Sequence, residues 1–217
     1  MTTDDIAQRK QAIREEVWDL LEQHGAAPPG VHGHIPDFVG AEAAAQQLTR
    51  LPEWQQARVI MANPDRAQLP VRIAALNAGK LVYMAVPRLA GPKPFYRLDP
   101  NELDAPYDEA ATGDGAAHHA PTVDVNEMQP VDLIICGSVA VNHNGARLGK
   151  GAGYTDTEVG LLISTKRVGR ETLIATTVHP LQVVKGNLPE SHQDVRVAVT
   201  ATPTRSIRSV PPLEAET

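Results

Sequence analysis

The chain has 217 residues, 42% of them hydrophobic and 21% charged, with a formal charge of −6. That is enough chain to bury one large core, and the acid excess argues against a general nucleic-acid binder while leaving room for a local basic pocket. No apolar run reaches the ~18 to 20 residues of a membrane helix, the start "MTTDDIAQRK" lacks the apolar core of a secretory signal, and a cytoplasmic protein with no membrane partner is expected. The single cysteine, Cys136, excludes an internal disulfide and a cysteine-rich zinc cluster; within "VDLIICGSVAV" it reads as a buried, inert thiol.

"DDIAQRKQAIREEVWDLLEQHG" predicts a helix, because Ile6, Ile13, Val17, Leu20 and Leu21 recur at helical spacing, acids open it and Gly25 can close it. After the Pro- and Gly-rich "APPGVHGHIPDFVG", Ala41 to Leu51 reads as a second helix and "ARVIMAN" as a short strand. "QLPVRIAALNAGK" gives an amphipathic helix closed by Gly79, and "KLVYMAVPRL" another buried strand. Residues 99–130 lack apolar periodicity and are expected to form a surface excursion. Their pair His118 and His119, like His32 and His34 earlier, reads as solvated rather than metal-binding. After Pro130 come the strand "VDLIICGSVAV", a glycine loop, a helix from about Thr155 to Val168, the strand "TLIATTVH" and a last strand in "RVAVTATPT". Alternating strands and helices predict one α/β domain over residues 1–208, with 209–217 a frayed tail.

The run "NGARLGKGAGYTDTEVG" gathers glycines, two cations and two carboxylates directly after an apolar segment. It is neither a G-x-x-x-x-G-K-[ST] loop nor a G-x-G-x-x-G turn. A strand, glycine loop and helix can still aim backbone N–H groups and a helix N-terminus at phosphate, with Arg147 and Lys150 adding charge. An ordinary tight connection is the competing reading.

These residues are also familiar. "GARLGKGAGYTD" resembles the G-x-R-L-G-x-G-G-G-Y-Y-D signature of the 5-formyltetrahydrofolate cyclo-ligase family, and "KQAIR", "GKLVYMAVP" and "LQVVKGNLPESHQDVRVAVTATPT" are similar to that family's other motifs. "KQAIREEVW", "HIPDFVGAEAAA", "GSVAV" followed by "GKGAGY", and "TVH" resemble a paralogue branch of it. The resemblance implies an α/β fold with a layered mixed sheet and flanking helices. It also implies an ATP- and Mg²⁺-dependent ligase that converts 5-formyltetrahydrofolate to 5,10-methenyltetrahydrofolate with ADP and phosphate. Lys10 and Arg14 then match basic ATP contacts, and Arg147, Gly149, Lys150, Gly151, Gly153 and Tyr154 occupy the ATP loop. Asp156 stands at the magnesium, and Arg147, Lys150 and Asp156 are the catalytic candidates; an N-terminal helix cap is the ordinary role for Asp156. Phe95 and Tyr96 are candidates to stack on a pterin, or else core.

Two departures bear on the substrate: Asn63-Pro64-Asp65 and Pro70 interrupt the segment where the family contacts folate, and no methionine accompanies Phe95 and Tyr96. They keep two alternatives open, a paralogue that retains the ATP site but acts on a non-folate, thiamin-linked substrate, and a non-catalytic nucleotide- or pterin-binding protein. Glu158, His192 and Asp194 receive no role, His179 reads as a satisfied strand-end histidine, and the oligomeric state is left open.

Overall fold

The computed structural model describes residues 3–210. Helix α1 (Thr3–Gln23) carries Asp4 and Asp5 in its first turn, where carboxylates oppose the helix dipole, and Gly25, at φ 61°, follows its end. Its buried stripe of Val17, Trp18 and Leu21 packs against Val139, Ala140 and Leu148 of a small second sheet. That sheet consists of β6 (Ala140–Asn142), flanked by antiparallel β7 (Arg147–Leu148) and parallel β9 (Val183–Val184).

Over the described residues the main sheet has eight strands. Five run parallel at its centre: β2 (Leu81–Ala85), β1 (Val59–Ala62), β5 (Leu133–Cys136), β8 (Leu173–Thr177) and β10 (Val199–Ala201), in that spatial order. Antiparallel β3 (Phe95–Leu98) and β4 (Thr122–Val123) extend one edge, and β11 (Ser206–Arg208) the other. The central strands are buried on both faces, and alternate side chains divide between two cores. Ile60 and Ala62 join Leu48, Trp54, Val71 and Leu76 under α2 (Ala41–Thr49), α3 (Pro52–Gln56) and α4 (Leu69–Asn77). Val59 and Met61 join Val159 and Leu162 of α7 (Tyr154–Ser164) on the opposite face.

Most of residues 99–130 lie exposed or half-buried at the surface, yet the segment has regular structure of its own. It folds into α5 (Tyr107–Ala110), α6 (Gly113–His119) and β4, and Ala111 and Ala116 reach the core. Alanines in short helices bury well without giving a large apolar period, which hides them from pattern reading. His118 and His119 end α6 and bond to the Asp114 carbonyl and the Glu109 carboxylate. The run "VDLIICGSVAV" is not one strand either, because it divides at Gly137 into β5 and β6 of different sheets. Helix α7 starts at Tyr154 and stops at Ser164, four residues short of the expected end. Of the expected frayed tail, Ser209 donates to the Ala198 and Val197 carbonyls and Val210 to that of His143, and residues 211–217 lie outside the described residues.

The chain leaves β1 toward β2 on one side and leaves β5 toward β8 on the other. The crevice beyond the carboxyl ends of β1 and β5 is therefore the topological switch point of the sheet, where α/β folds hold ligands.

Candidate active site

Asn63 follows β1, Gly137 follows β5, and the two meet in that crevice. Asn63 Oδ1 accepts from the Gly137 N–H at 3.0 Å and the Thr155 hydroxyl at 3.2 Å, while Nδ2 donates to Glu158 Oε2 at 2.6 Å. Gly137 leaves little room for a side chain: a Cβ there would lie 3.0 Å from Ile35 and 3.1 Å from Asp65 Oδ2, so both neighbours would have to shift. Behind the loop, the guanidinium of Arg72 donates to the carbonyls of Ala111 (2.7 Å), Asp65 (3.1 Å), Pro64 (3.3 Å) and Asn63. Burial pulls the Arg72 pKa down to about 10, so it stays a cation at neutral pH and holds residues 63–65 in place.

The glycine loop lies on the other side of the crevice. Arg147, buried on β7, donates to the Gly137 carbonyl and to Asp156 Oδ1, both at 3.2 Å, and its Nε is buried without a partner. Asp156 Oδ1 also accepts from the Val195 N–H at 3.0 Å, so Oδ2 has no hydrogen bond among the described residues. The helix N-cap is Gly153, at φ 68°, and not Asp156, whose bonds run to Arg147 and Val195 instead. On α1, Lys10 and Arg14 share one face at a spacing of four. Lys10 pairs with Asp194, and Arg14 Nε donates to the Gly149 carbonyl at 2.7 Å. Gly151 adopts φ 104°, which a side chain tolerates poorly, and a Cβ there would touch the Arg14 guanidinium at 3.5 Å. Burial lowers the Arg14 pKa, against the pull of Asp194. At Asp194 burial acts upward, but the bonds from Lys10 and Ser191 outweigh it and hold the carboxyl below its ordinary range.

Two cavities flank this loop. The smaller, of about 230 Å³, gathers Lys10, Arg14, Arg147, Gly149, Gly151, Gly153, Asp156 and Asp194, which makes it a basic cleft at the start of α7. The larger, of about 320 Å³, fills the switch-point crevice between Ile35, Pro64, Val86 and Pro87, with Asp65, Lys150, Tyr154 and Glu158 as its polar lining. Arg147, Gly149, Gly153 and Asp156 line both. Lys150 reaches Asp65 at 3.3 Å.

Every expected residue of the glycine loop and of α1 is thus at the site. Phe95 and Tyr96 are not: β3 buries both, Phe95 completely, in the two cores flanking the sheet, and neither lines either of these two cavities. Their alternation along an inner strand leaves no face for a ligand. Pattern reading missed Asp194, which the "HQD" spacing had obscured, and Glu158. The Glu158 side chain lies in a helix turn among apolar residues and is only 3% exposed. Burial pushes its pKa up to about 8 and Asp65 adds to this, while the Asn63 hydrogen bond, Arg147 and Lys150 pull the other way. His179 is satisfied as expected, its Nδ1 accepting from the Leu181 N–H. Cys136 is fully buried, with its pKa raised by burial.

A basic cleft and a second cavity, joined by a glycine loop at the switch point of a mixed sheet, make this an α/β protein with two adjoining cavities at one loop. The chain belongs to the 5-formyltetrahydrofolate cyclo-ligase family, whose sequence model matches residues 6–203. It is 37% identical to a Bos taurus methenyltetrahydrofolate synthase domain-containing protein and 33% identical to the Homo sapiens protein of that name, each over 204 residues. The matches cover 91% of this chain and 53% of each relative, so the chain spans about half the length of the curated relatives it matches. The NMR structure of Aquifex aeolicus 5,10-methenyltetrahydrofolate synthetase aligns over 96% of both chains with a TM-score of 0.59 at 24% identity, and the fold is the cyclo-ligase fold.

Proposed function

We propose that the protein is an ATP- and Mg²⁺-dependent ligase that converts 5-formyltetrahydrofolate to 5,10-methenyltetrahydrofolate, with release of ADP and phosphate. The observation that carries this reading is the shared wall: Arg147, Gly149, Gly153 and Asp156 line both cavities, so a phosphate in the basic cleft and a second ligand in the crevice would meet at one loop. Phosphoryl transfer asks mainly for position and for cations around developing charge.

The residues fit both groups. Lys10, Arg14 and Arg147 offer three cations to phosphate oxygens in the cleft that all three line. Asp156 Oδ2 suits Mg²⁺, which commonly takes one or two carboxylates and completes its shell with water and phosphate. When bound, Mg²⁺ would supply charge neutralisation at the phosphates. Arg147 orients Asp156 through Oδ1, and the N–H groups opening α7 face the same cleft. Lys150, held by Asp65, adds a cation to the lining of the crevice. A cytoplasmic setting goes with this reading; no helix among the described residues is long and apolar enough to cross a membrane.

The test is incubation with Mg-ATP and (6S)-5-formyltetrahydrofolate, following methenyl product by absorbance and ADP by a coupled assay. One methenyl product per ADP, lost in Asp156→Asn with ATP binding retained, supports the proposal. ATP binding without methenyl product would turn it to a second reading, a paralogue acting on another small molecule. One observation favours that reading: with Phe95 and Tyr96 in the core, Tyr154 is the aromatic residue left to line the crevice.

A further inference from the structure

The reaction proposed above leaves Glu158 unused, yet its position is hard to explain as packing. It enters the crevice from α7 through an apolar neighbourhood, and Asn63 Nδ2 fixes one carboxyl oxygen at 2.6 Å. The other, Oε1, has no hydrogen bond among the described residues and is not sealed away from the cavity that Glu158 lines. Asn63 is itself fixed, because its Oδ1 is filled by the Gly137 N–H and the Thr155 hydroxyl. The nearby cations are otherwise engaged, Arg147 with Asp156 and Gly137, and Lys150 with Asp65. The carboxyl has thus given up its water for one protein hydrogen bond, and its second oxygen lacks a donor.

We propose that Glu158 is the specificity-determining anchor of the crevice, accepting at Oε1, and at the lone pair of Oε2 that Asn63 leaves free, from a planar nitrogen heterocycle that presents two adjacent N–H groups, as an aminopyrimidinone ring does. A carboxyl accepts such a pair side by side, and the walls formed by Ile35, Pro64, Val86 and Pro87 offer apolar surface to a flat ring. The inference rests on the proposed function only in taking the crevice as the seat of the second ligand.

Binding without ATP tests it. Two probes are titrated calorimetrically: pterin, whose 2-amino group and N3–H are adjacent donors, and lumazine, which carries a carbonyl in place of that amine. The wild-type protein is expected to bind pterin at least about fivefold more tightly, the worth of one hydrogen bond to the buried carboxyl. Glu158→Gln and Glu158→Leu are expected to bring the ratio toward one. Equal affinities, a lumazine preference or no binding of either ring by the wild type overturns the inference without reference to any variant. So does a variant that loses both rings in equal proportion, which marks Glu158 as merely structural. Pterin selectivity through Glu158 without methenyl formation would refute the proposed reaction and leave this inference standing. Methenyl formation with kcat/KM unchanged in Glu158→Gln would do the reverse.

Discussion

A buried acid whose pKa rises on folding makes the folded state weaker as pH rises, and Glu158 should show this directly. Its pKa moves from 4.5 to about 8. Below pH 4.5 the carboxyl is protonated in both states and folding is unaffected. Between those values the unfolded chain releases the proton while the folded chain keeps it, so stability present at low pH is lost until the folded carboxyl also ionises. At ~1.4 kcal/mol per pH unit, the loss between pH 5 and pH 8.5 is about 4 kcal/mol, a large part of a typical folding free energy. Glu158→Gln keeps an acceptor for Asn63 and removes the titration. Urea unfolding of both proteins in EDTA, which keeps metal from Asp156, should give stabilities within about 1 kcal/mol at pH 5 and a variant about 4 kcal/mol more stable than wild type at pH 8.5. Curves that stay parallel across this range would mean that the carboxyl is ionised in the fold at neutral pH, and the burial argument would fail.

Other perturbations separate the frame of the site from its chemistry. Arg72→Leu strips donors from the carbonyls of Asn63, Asp65 and Ala111, and at about 1 to 3 kcal/mol for each buried orphan should destabilise the fold by roughly 3 to 9 kcal/mol in urea unfolding; a loss under about 1 kcal/mol would show that the loop holds itself. Gly151→Ala forces a side chain to φ 104° against Arg14, so the melting temperature should fall, by the equivalent of about 1 to 2 kcal/mol, and ATP should bind more weakly. Lys10→Ala and Asp194→Asn should move ATP affinity in opposite directions, the first weakening it about tenfold and the second strengthening it severalfold by freeing Lys10 and removing a negative charge from the cleft. Fluorescent-nucleotide titration reads both, and shifts of the same sign would mean that the pair acts as a structural clasp.

The parts of the site that could be read in the sequence were those encoded in local order. Glycines beside cations between a strand and a helix marked the loop from Arg147 to Asp156, and the spacing of Lys10 and Arg14 placed both on one face of α1. The unread parts depend on which strands become neighbours. Asn63 appeared as an interruption before a helix, and it gains meaning only because β5 lies beside β1 and brings Gly137 and then Glu158 to it. Arg72 lies on a short helix, and nothing local shows that it would be buried against four carbonyls. Phe95 and Tyr96 failed for the same reason in reverse: a short aromatic pair reads equally as pocket or strand, and antiparallel pairing with β2 decides for the core.

The docking of α1 also has a consequence for the order in which the protein is made. Lys10 and Arg14 leave the ribosome well before their partners Asp194 and Gly149, which lie 184 and 135 residues later. Chains fold during synthesis at about 5 to 20 residues per second, so α1 waits roughly ten seconds or more before the last piece of its cleft exists. The central strands β1, β2, β5 and β8 can assemble in the meantime, and the basic cleft closes only when the segment around Asp194 arrives to meet α1. A nascent chain arrested before that segment would hold most of its main sheet and have little grip on phosphate.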